Sequence, residues 1–156
     1  MTDQPPRAQA KPADAPLPDL RARSTFAHWT SVTIRFCDTD LLGHVNNVAI
    51  ASYFEAARCA FFYDLLAREG RAGLDFILAR VAIDFVAEIH YPGTVEVGTC
   101  LTRLGTKSLH SGYGAFIGDT CVATGEAVNV FFDPKTRKTE APEPALRALL
   151  EQQIVR

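Results

Sequence analysis

Two carboxylates one residue apart, Asp38 and Asp40, open a run that continues through Gly43, His44 and Val45 to the pair Asn46-Asn47; the stretch over residues 36–58 reads FCDTDLLGHVNNVAIASYFEAAR. These are the parts of an acyl-transfer or hydrolytic site. An ionised Asp supplies a general base or a nucleophile. Asn46 and Asn47 are helix N-cap types standing before regularly spaced apolar residues, so a helix begins there with its first backbone N–H groups unpaired and aimed back into the loop. That end of a helix carries partial positive charge. Donors so placed polarise a carbonyl oxygen and stabilise the oxyanion it becomes.

Each residue of the run also has a plainer use. Asp40 suits an Asx-turn that shapes the loop, and Asp38 suits bracing the loop or pairing with Arg35 or Arg58. Asn46 is most simply the N-cap and Asn47 the first helical residue, with function carried by backbone rather than side chain. His44 is either a proton shuttle or a hydrogen-bond partner of loop carbonyls. Cys37 with His44 as nucleophile and base lacks a third, orienting group. Asp38, Asp40 and His44 as metal ligands lack a second cluster, so no metal and no bound cofactor are expected. Glu55 and Arg58, three apart on the helix, suit a mutual ion pair or a contact between subunits.

The elements that must hold this loop can be read on either side of it. Residues 29–37 alternate, with Val32, Ile34 and Phe36 on one face, which predicts a half-buried strand. Residues 47 to about 68 hold apolar side chains over most of the circumference without a Gly or Pro, predicting one long helix that stops near Gly70. Four strands follow. Residues 76–90 place Ile77, Val81, Ile83, Phe85 and Ile89 on one face before the Pro92-Gly93 turn. Residues 94–104, 109–117 and 120–132 alternate in their turn, separated by the turn at residues 105–108 and by the tight Gly118-Asp119 hairpin. Residues 143–154 predict a short terminal helix. A helix apolar nearly all round, followed by short-linked strands, implies an α+β domain in which a curled antiparallel sheet wraps that helix.

Composition narrows the function classes. The chain has 156 residues, a size for one domain, and five of its nine prolines fall within residues 1–24, which predict a disordered tail ahead of a single domain over 25–156. A net charge of -2 with basic residues scattered singly argues against a nucleic-acid partner. No apolar run reaches the ~18 residues of a membrane helix and the N-terminus has no signal-peptide core, so a cytoplasmic protein is expected. The four cysteines, Cys37, Cys59, Cys100 and Cys121, form no C-x-x-C pair and are expected to be buried free thiols.

The motif R-F-x-D-T-D-x-x-G-H-V-N-N over residues 35–47, followed by Y-F-E-x-A-R over 53–58, resembles the hot-dog-fold thioesterases of the 4-hydroxybenzoyl-CoA thioesterase type. Weaker agreement at G-x-K-S (105–108) and G-E-A (125–127) extends the resemblance over about residues 29–143. The resemblance implies a hot-dog fold, a homo-oligomer that is a dimer or a tetramer of dimers with sites between subunits, and hydrolysis of a fatty or aromatic acyl-CoA. It maps the carboxylate beside the thioester to Asp40 and the carbonyl-polarising N–H to Asn47. His44 is expected to complete the catalytic set, and Gly43, Val45, Asn46, Lys107 and Ser108 are the expected residues for substrate and coenzyme A, Lys107 and Ser108 being otherwise the exposed polar residues of a hairpin turn. Arg80 and Arg103 are lesser candidates for the coenzyme. The chain departs from the family pattern where some members carry a His at the Asn47 position and many a Tyr at Ile50. The rival readings are an acyl-carrier-protein thioesterase, which would want a basic rim, a non-catalytic acyl-thioester-binding protein, and a dehydratase, which would need a placed His base. Phe61, Phe62, Phe85 and Phe116 are expected to fill the core, with an acyl tunnel as the alternative.

Overall fold

The computed structural model describes residues 18–68, 76–133 and 135–155. In chain order these form β1 (His28–Thr33), α1 (Asn47–Arg68), β2 (Phe76–Phe85), β3 (Thr94–Leu104), β4 (Ser108–Ile117), β5 (Thr120–Asp133), β6 (Lys138–Thr139) and α2 (Pro144–Gln152), with short 3-10 turns at Arg23–Thr25 and Phe36–Asp38. The sheet is antiparallel in the order β1-β3-β4-β5-β2, and β6 adds to β5. It curls around α1 to give the hot-dog fold expected from the sequence.

β3, β4 and β5 are the consecutive hairpins that the turn residues predict. The β4–β5 turn has Gly118 at φ +56, a left-handed conformation that glycine adopts without strain. β2 departs from a simple meander. It pairs with β5 at the far edge of the sheet, and the chain returns to β3 through residues 86–93. That connection is held by bonds from the N–H groups of Val86 and Ala87 to the Val122 carbonyl and from Val45 N–H to the Ile89 carbonyl.

Two side-chain placements differ from the alternation read in the sequence. Phe36, expected on the buried face of the first strand, is 75% exposed, because β1 stops at Thr33 and the chain turns over Phe36–Asp38. Ile77 does not share a face with Val81, because an irregularity between Leu78 and Arg80 shifts the β2–β5 register and turns the residues before it over. Phe76, Leu78, Val81, Ile83 and Phe85 then share the helix-facing side, yet Leu78, Val81 and Phe85 stay largely exposed on this edge strand.

α1 places Ala49, Ile50, Tyr53, Phe54 and Ala57 against one apolar cluster with Ile34, Val95, Val97 and Tyr113. Its last turns place Phe61, Phe62, Leu65 and Leu66 in a second cluster with Leu101, Leu109 and Phe131, closed by Leu146 and Leu150 of α2. Phe116 is likewise core, in a third cluster with Phe26 and Cys100. Between the first two lies a polar layer. Arg58 is buried there near the Tyr113 hydroxyl, and Thr99, Ser111, Tyr113 and Asn129 carry buried polar atoms that meet the geometry of a hydrogen bond with no partner among the described residues, a setting suited to ordered water. Arg58 still reaches Glu55 at 3.4 Å, so the pair forms within the chain and its cation is turned inward.

Two further expectations change. Leu20 packs against the third cluster, and the Arg23 guanidinium stacks over the Trp29 ring while pairing with Glu96 at 2.9 Å, so residues 18–24 belong to the folded part and not to the tail. Residues 1–17, which are the rest of the expected tail, and Gly70 lie outside the described residues. All four cysteines are free thiols, but Cys37 and Cys59 are exposed, one on the turn after β1 and one on the outer face of α1. Among the described residues no helix is long and apolar enough to cross a membrane.

Candidate active site

The loop between β1 and α1 is built on Asp38. Its carboxylate is 3% exposed and accepts from the backbone N–H of Arg35 (2.9 Å), from Arg35 Nη2 (2.7 Å) and from the Tyr53 hydroxyl (2.7 Å). The Arg35 guanidinium, foremost, together with these donors holds the carboxyl down to about 2 against the opposing effect of burial. Burial and the Asp38 charge in turn push the Tyr53 hydroxyl upward. The Asp38 carbonyl accepts from both the backbone and the side-chain N–H of Asn46, which ties the loop to the helix start. Asp38 is thus the brace of this loop, and Arg35 is its partner.

Asn46 is the N-cap of α1, its Oδ1 accepting from Ala49 N–H at 2.8 Å. Asn47 and Val48 then hold the first two helical N–H groups, which a helix leaves without internal partners. Asp40 lines a cleft with both of them. Its Oδ1 accepts from Leu42 N–H at 2.8 Å and more weakly from His44 N–H at 3.4 Å, and its backbone pairs with the carbonyl of His44. This is the Asx-turn geometry that shapes the loop, with Gly43 at φ +83 closing it. The side chain remains exposed.

Asp40 and Asn47 line two clefts in common. One, of about 540 Å³, also has Arg35, Asp38, Asn46, Val48, Ala49 and Ser52 in its wall. The other, of about 430 Å³, is walled by His44, Val45 and Ile50 and by residues 85–89. Both clefts thus have a carboxylate and a helix N-terminus in their walls. Phe85 lines this second cleft, so of the four phenylalanines it alone faces the site.

Other residues of the sequence-derived set fall out differently. His44 does not face Asp40 with its ring; its Nε2 lies 3.3 Å from Glu88 Oε2, and its backbone bridges to His90. Lys107 and Ser108 sit at the β3–β4 turn, where Lys107 Nζ donates to the Thr139 carbonyl. That turn follows Leu104, at the opposite end of β3 from Thr94, which pairs beside the site with Thr33 of β1. One chain therefore does not bring Lys107 and Ser108 to Asp40. Arg80 lies 4.0 Å from Glu126 on the sheet surface. Glu88 and His90 were not singled out by sequence, and Tyr53 entered only as the first residue of the 53–58 motif, without a role. The E-x-H spacing of Glu88 and His90 puts both on one side of an extended segment, a signal that is visible only once that segment is placed beside the loop.

A sheet curled around one helix, with an acidic loop at that helix's N-terminus, is the hot-dog architecture of thioesterases. The chain belongs to the thioesterase-like superfamily, whose family profile matches residues 34–150. Among solved structures, a predicted thioesterase from Bacillus stearothermophilus is 27% identical with a TM-score of 0.74, over 83% of this chain and 97% of that one. A thioesterase from Thermus thermophilus, complexed with coenzyme A and Zn, is 29% identical with a TM-score of 0.72, over 83% of this chain and 95% of that one. The uncharacterized protein YsmA of Bacillus subtilis (strain 168) is 26% identical over 98 residues, 63% of this chain and 67% of YsmA. Family and neighbours support thioester hydrolysis as the general activity.

Proposed function

We propose that the protein is a cytoplasmic, homo-oligomeric acyl-CoA thioesterase that releases a fatty or aromatic acid from coenzyme A. The observation that carries the reading is that Asp40 and the N-terminus of α1 at Asn47 face the same clefts. Coenzyme A as the carrier draws support from the Thermus thermophilus neighbour, which holds that molecule.

In this reading the thioester carbonyl oxygen points at the Asn47 N–H, which stabilises the oxyanion as it forms. Ionised Asp40 takes a proton from the attacking water, or attacks the carbonyl carbon itself to give an anhydride that water then opens. In either course the C–S bond breaks and coenzyme A leaves as a thiolate. Thiolate is a good leaving group, so a carboxylate suffices without a Ser-His pair. The ring of His44, turned to Glu88, then serves the wall of the cleft more than proton transfer at Asp40.

Self-association draws support from β2. It is a ten-residue edge strand with Leu78, Val81 and Phe85 exposed on the helix-facing side and Ile77 exposed on the other. A long apolar edge of this kind is a template for pairing with another chain. Phe85 at its end lines the second cleft, so a copy docked on this edge would stand next to the site. Coenzyme contacts by Lys107 and Ser108 then come from another subunit, in a dimer or a tetramer of dimers.

The second reading is an acyl-thioester-binding protein without catalysis. It is favoured by the use of Asp40 Oδ1 in shaping its own loop. Thiol release from short, medium, long-chain and aromatic acyl-CoAs, with binding measured in parallel, separates the two. Cleavage of one acyl class supports the enzyme and names the substrate. Binding without cleavage, or activity only on acyl carrier protein, would overturn it.

A further inference from the structure

We propose that His44, Glu88 and His90 form a binding site for a divalent transition-metal ion of the zinc type, at the rim of the second cleft. The donor atoms of the three side chains lie within 4.8 Å of one another. Nε2 of His44 is 3.3 Å and Nε2 of His90 is 3.6 Å from the same carboxylate oxygen, Glu88 Oε2. Bonds of about 2.0–2.2 Å meeting at tetrahedral angles put ligand atoms about 3.4 Å apart, so both separations already match a shared ion. Two imidazoles and one carboxylate are a donor set suited to zinc and its neighbours, and three protein ligands leave a coordination position open.

The backbone, and not a chance meeting of surface side chains, creates this cluster. His44 and His90 face each other across an isolated antiparallel bridge, and their rings stand 5.0 Å apart at 80°. Val45 N–H to Ile89 carbonyl fixes the same two segments one residue further on. An independent feature orients the ligand. Nδ1 of His90 lies 3.3 Å from the Gly43 carbonyl, so with the proton on Nδ1 it donates there and turns the Nε2 lone pair toward the cluster. Metal-binding histidines are commonly held in this way through their other ring nitrogen. Without an ion the cluster is one half-buried and one exposed imidazole competing for a single carboxylate oxygen on an exposed side chain, a contact of small worth. His44 and Glu88 both line the cleft that Asp40 and Asn47 share, so the cluster stands at the rim of that cleft.

The proposal does not rest on the thioesterase reading, since binding is measured with no acyl substrate present. Untagged protein is dialysed against Zn²⁺, and Co²⁺ is used as a spectroscopic substitute, for the native chain and for Glu88→Gln and His90→Ala. One ion per chain is expected, with affinity weakened at least tenfold in each variant. Zn²⁺ should raise the melting temperature of the native protein and leave that of the variants unmoved. All three side chains lie at the surface or half-buried, and circular dichroism checks that the variants fold. Equal binding by the native chain and both variants would overturn the site. A sulfur-to-cobalt charge-transfer band would also overturn it, placing the ion on the exposed thiols of Cys37 or Cys59.

Discussion

Asp38→Asn keeps the size of the side chain and removes its charge, which isolates what the brace of the loop contributes. The carboxyl lies at about 2 in the folded protein against an ordinary 3.8, with the Arg35 hydrogen bond as the first cause. A group depressed by folding stabilises the folded state above its unfolded value, and that contribution is lost as pH falls through the folded one. At about 1.4 kcal/mol per pH unit the shift corresponds to roughly 2.4 kcal/mol. The Asp38 side chain is 3% exposed but that of Arg35 is 67% exposed, so water screens the pair. About 1–2 kcal/mol remains after that discount. Urea unfolding of both proteins over a pH series reads it. Above pH ~5 the variant should be less stable by that amount, and the gap should close between pH ~4 and ~2. A gap that stays constant across the series would refute a charge-based brace and leave only packing.

Other perturbations test separate parts of the fold and site. Tyr53→Phe removes the buried hydroxyl's bond to Asp38 and should cost about 1.5–3 kcal/mol, as a hydrogen bond to a charged group does, read by the same unfolding assay. Asn46→Ala loses the cap of α1 and should destabilise by about 1 kcal/mol, with a lower melting temperature. Gly98→Ala would set a Cβ 2.4 Å from Phe26 Cγ in the core, and should cost about 1–3 kcal/mol in the same denaturation. Val81→Lys places charge on the exposed edge of β2 and should shift the proposed oligomer toward monomer in sedimentation, and an unchanged assembly would contradict β2 as its interface.

Much of the architecture is legible because punctuation in the sequence is dense. The absence of Gly and Pro over residues 47–68 frames α1, and the turns at Pro92-Gly93, residues 105–108 and Gly118-Asp119 bound β3, β4 and β5 closely. The loop shows its role through Asn46, whose side chain caps the helix as its type suggests. What alternation could not show is where β2 goes. Edge position leaves its apolar residues exposed in a single chain, and a slip between Leu78 and Arg80 turns Ile77 to the other side. Phe36 misled for a similar reason, since one 3-10 turn ends the period of two. The cluster of Glu88 and His90 with His44 was out of reach because its members meet only through a bridge between two distant loops. Lys107 and Ser108 show the opposite limit, as a motif whose place in the chain separates it, within one subunit, from the site it was assigned to.

The central claim, that Asp40 acts by its charge and not by its turn, is tested most directly by the turnover of Asp40→Asn. Asn can accept the same hydrogen bonds from Leu42 and His44 N–H, so the loop keeps its shape while the base or nucleophile is lost. Steady-state thiol release from the preferred acyl-CoA should fall on the order of a hundredfold or more in kcat, with fold, assembly and substrate binding retained. Full activity in Asp40→Asn would show that the carboxylate only shapes the loop, and would contradict the account.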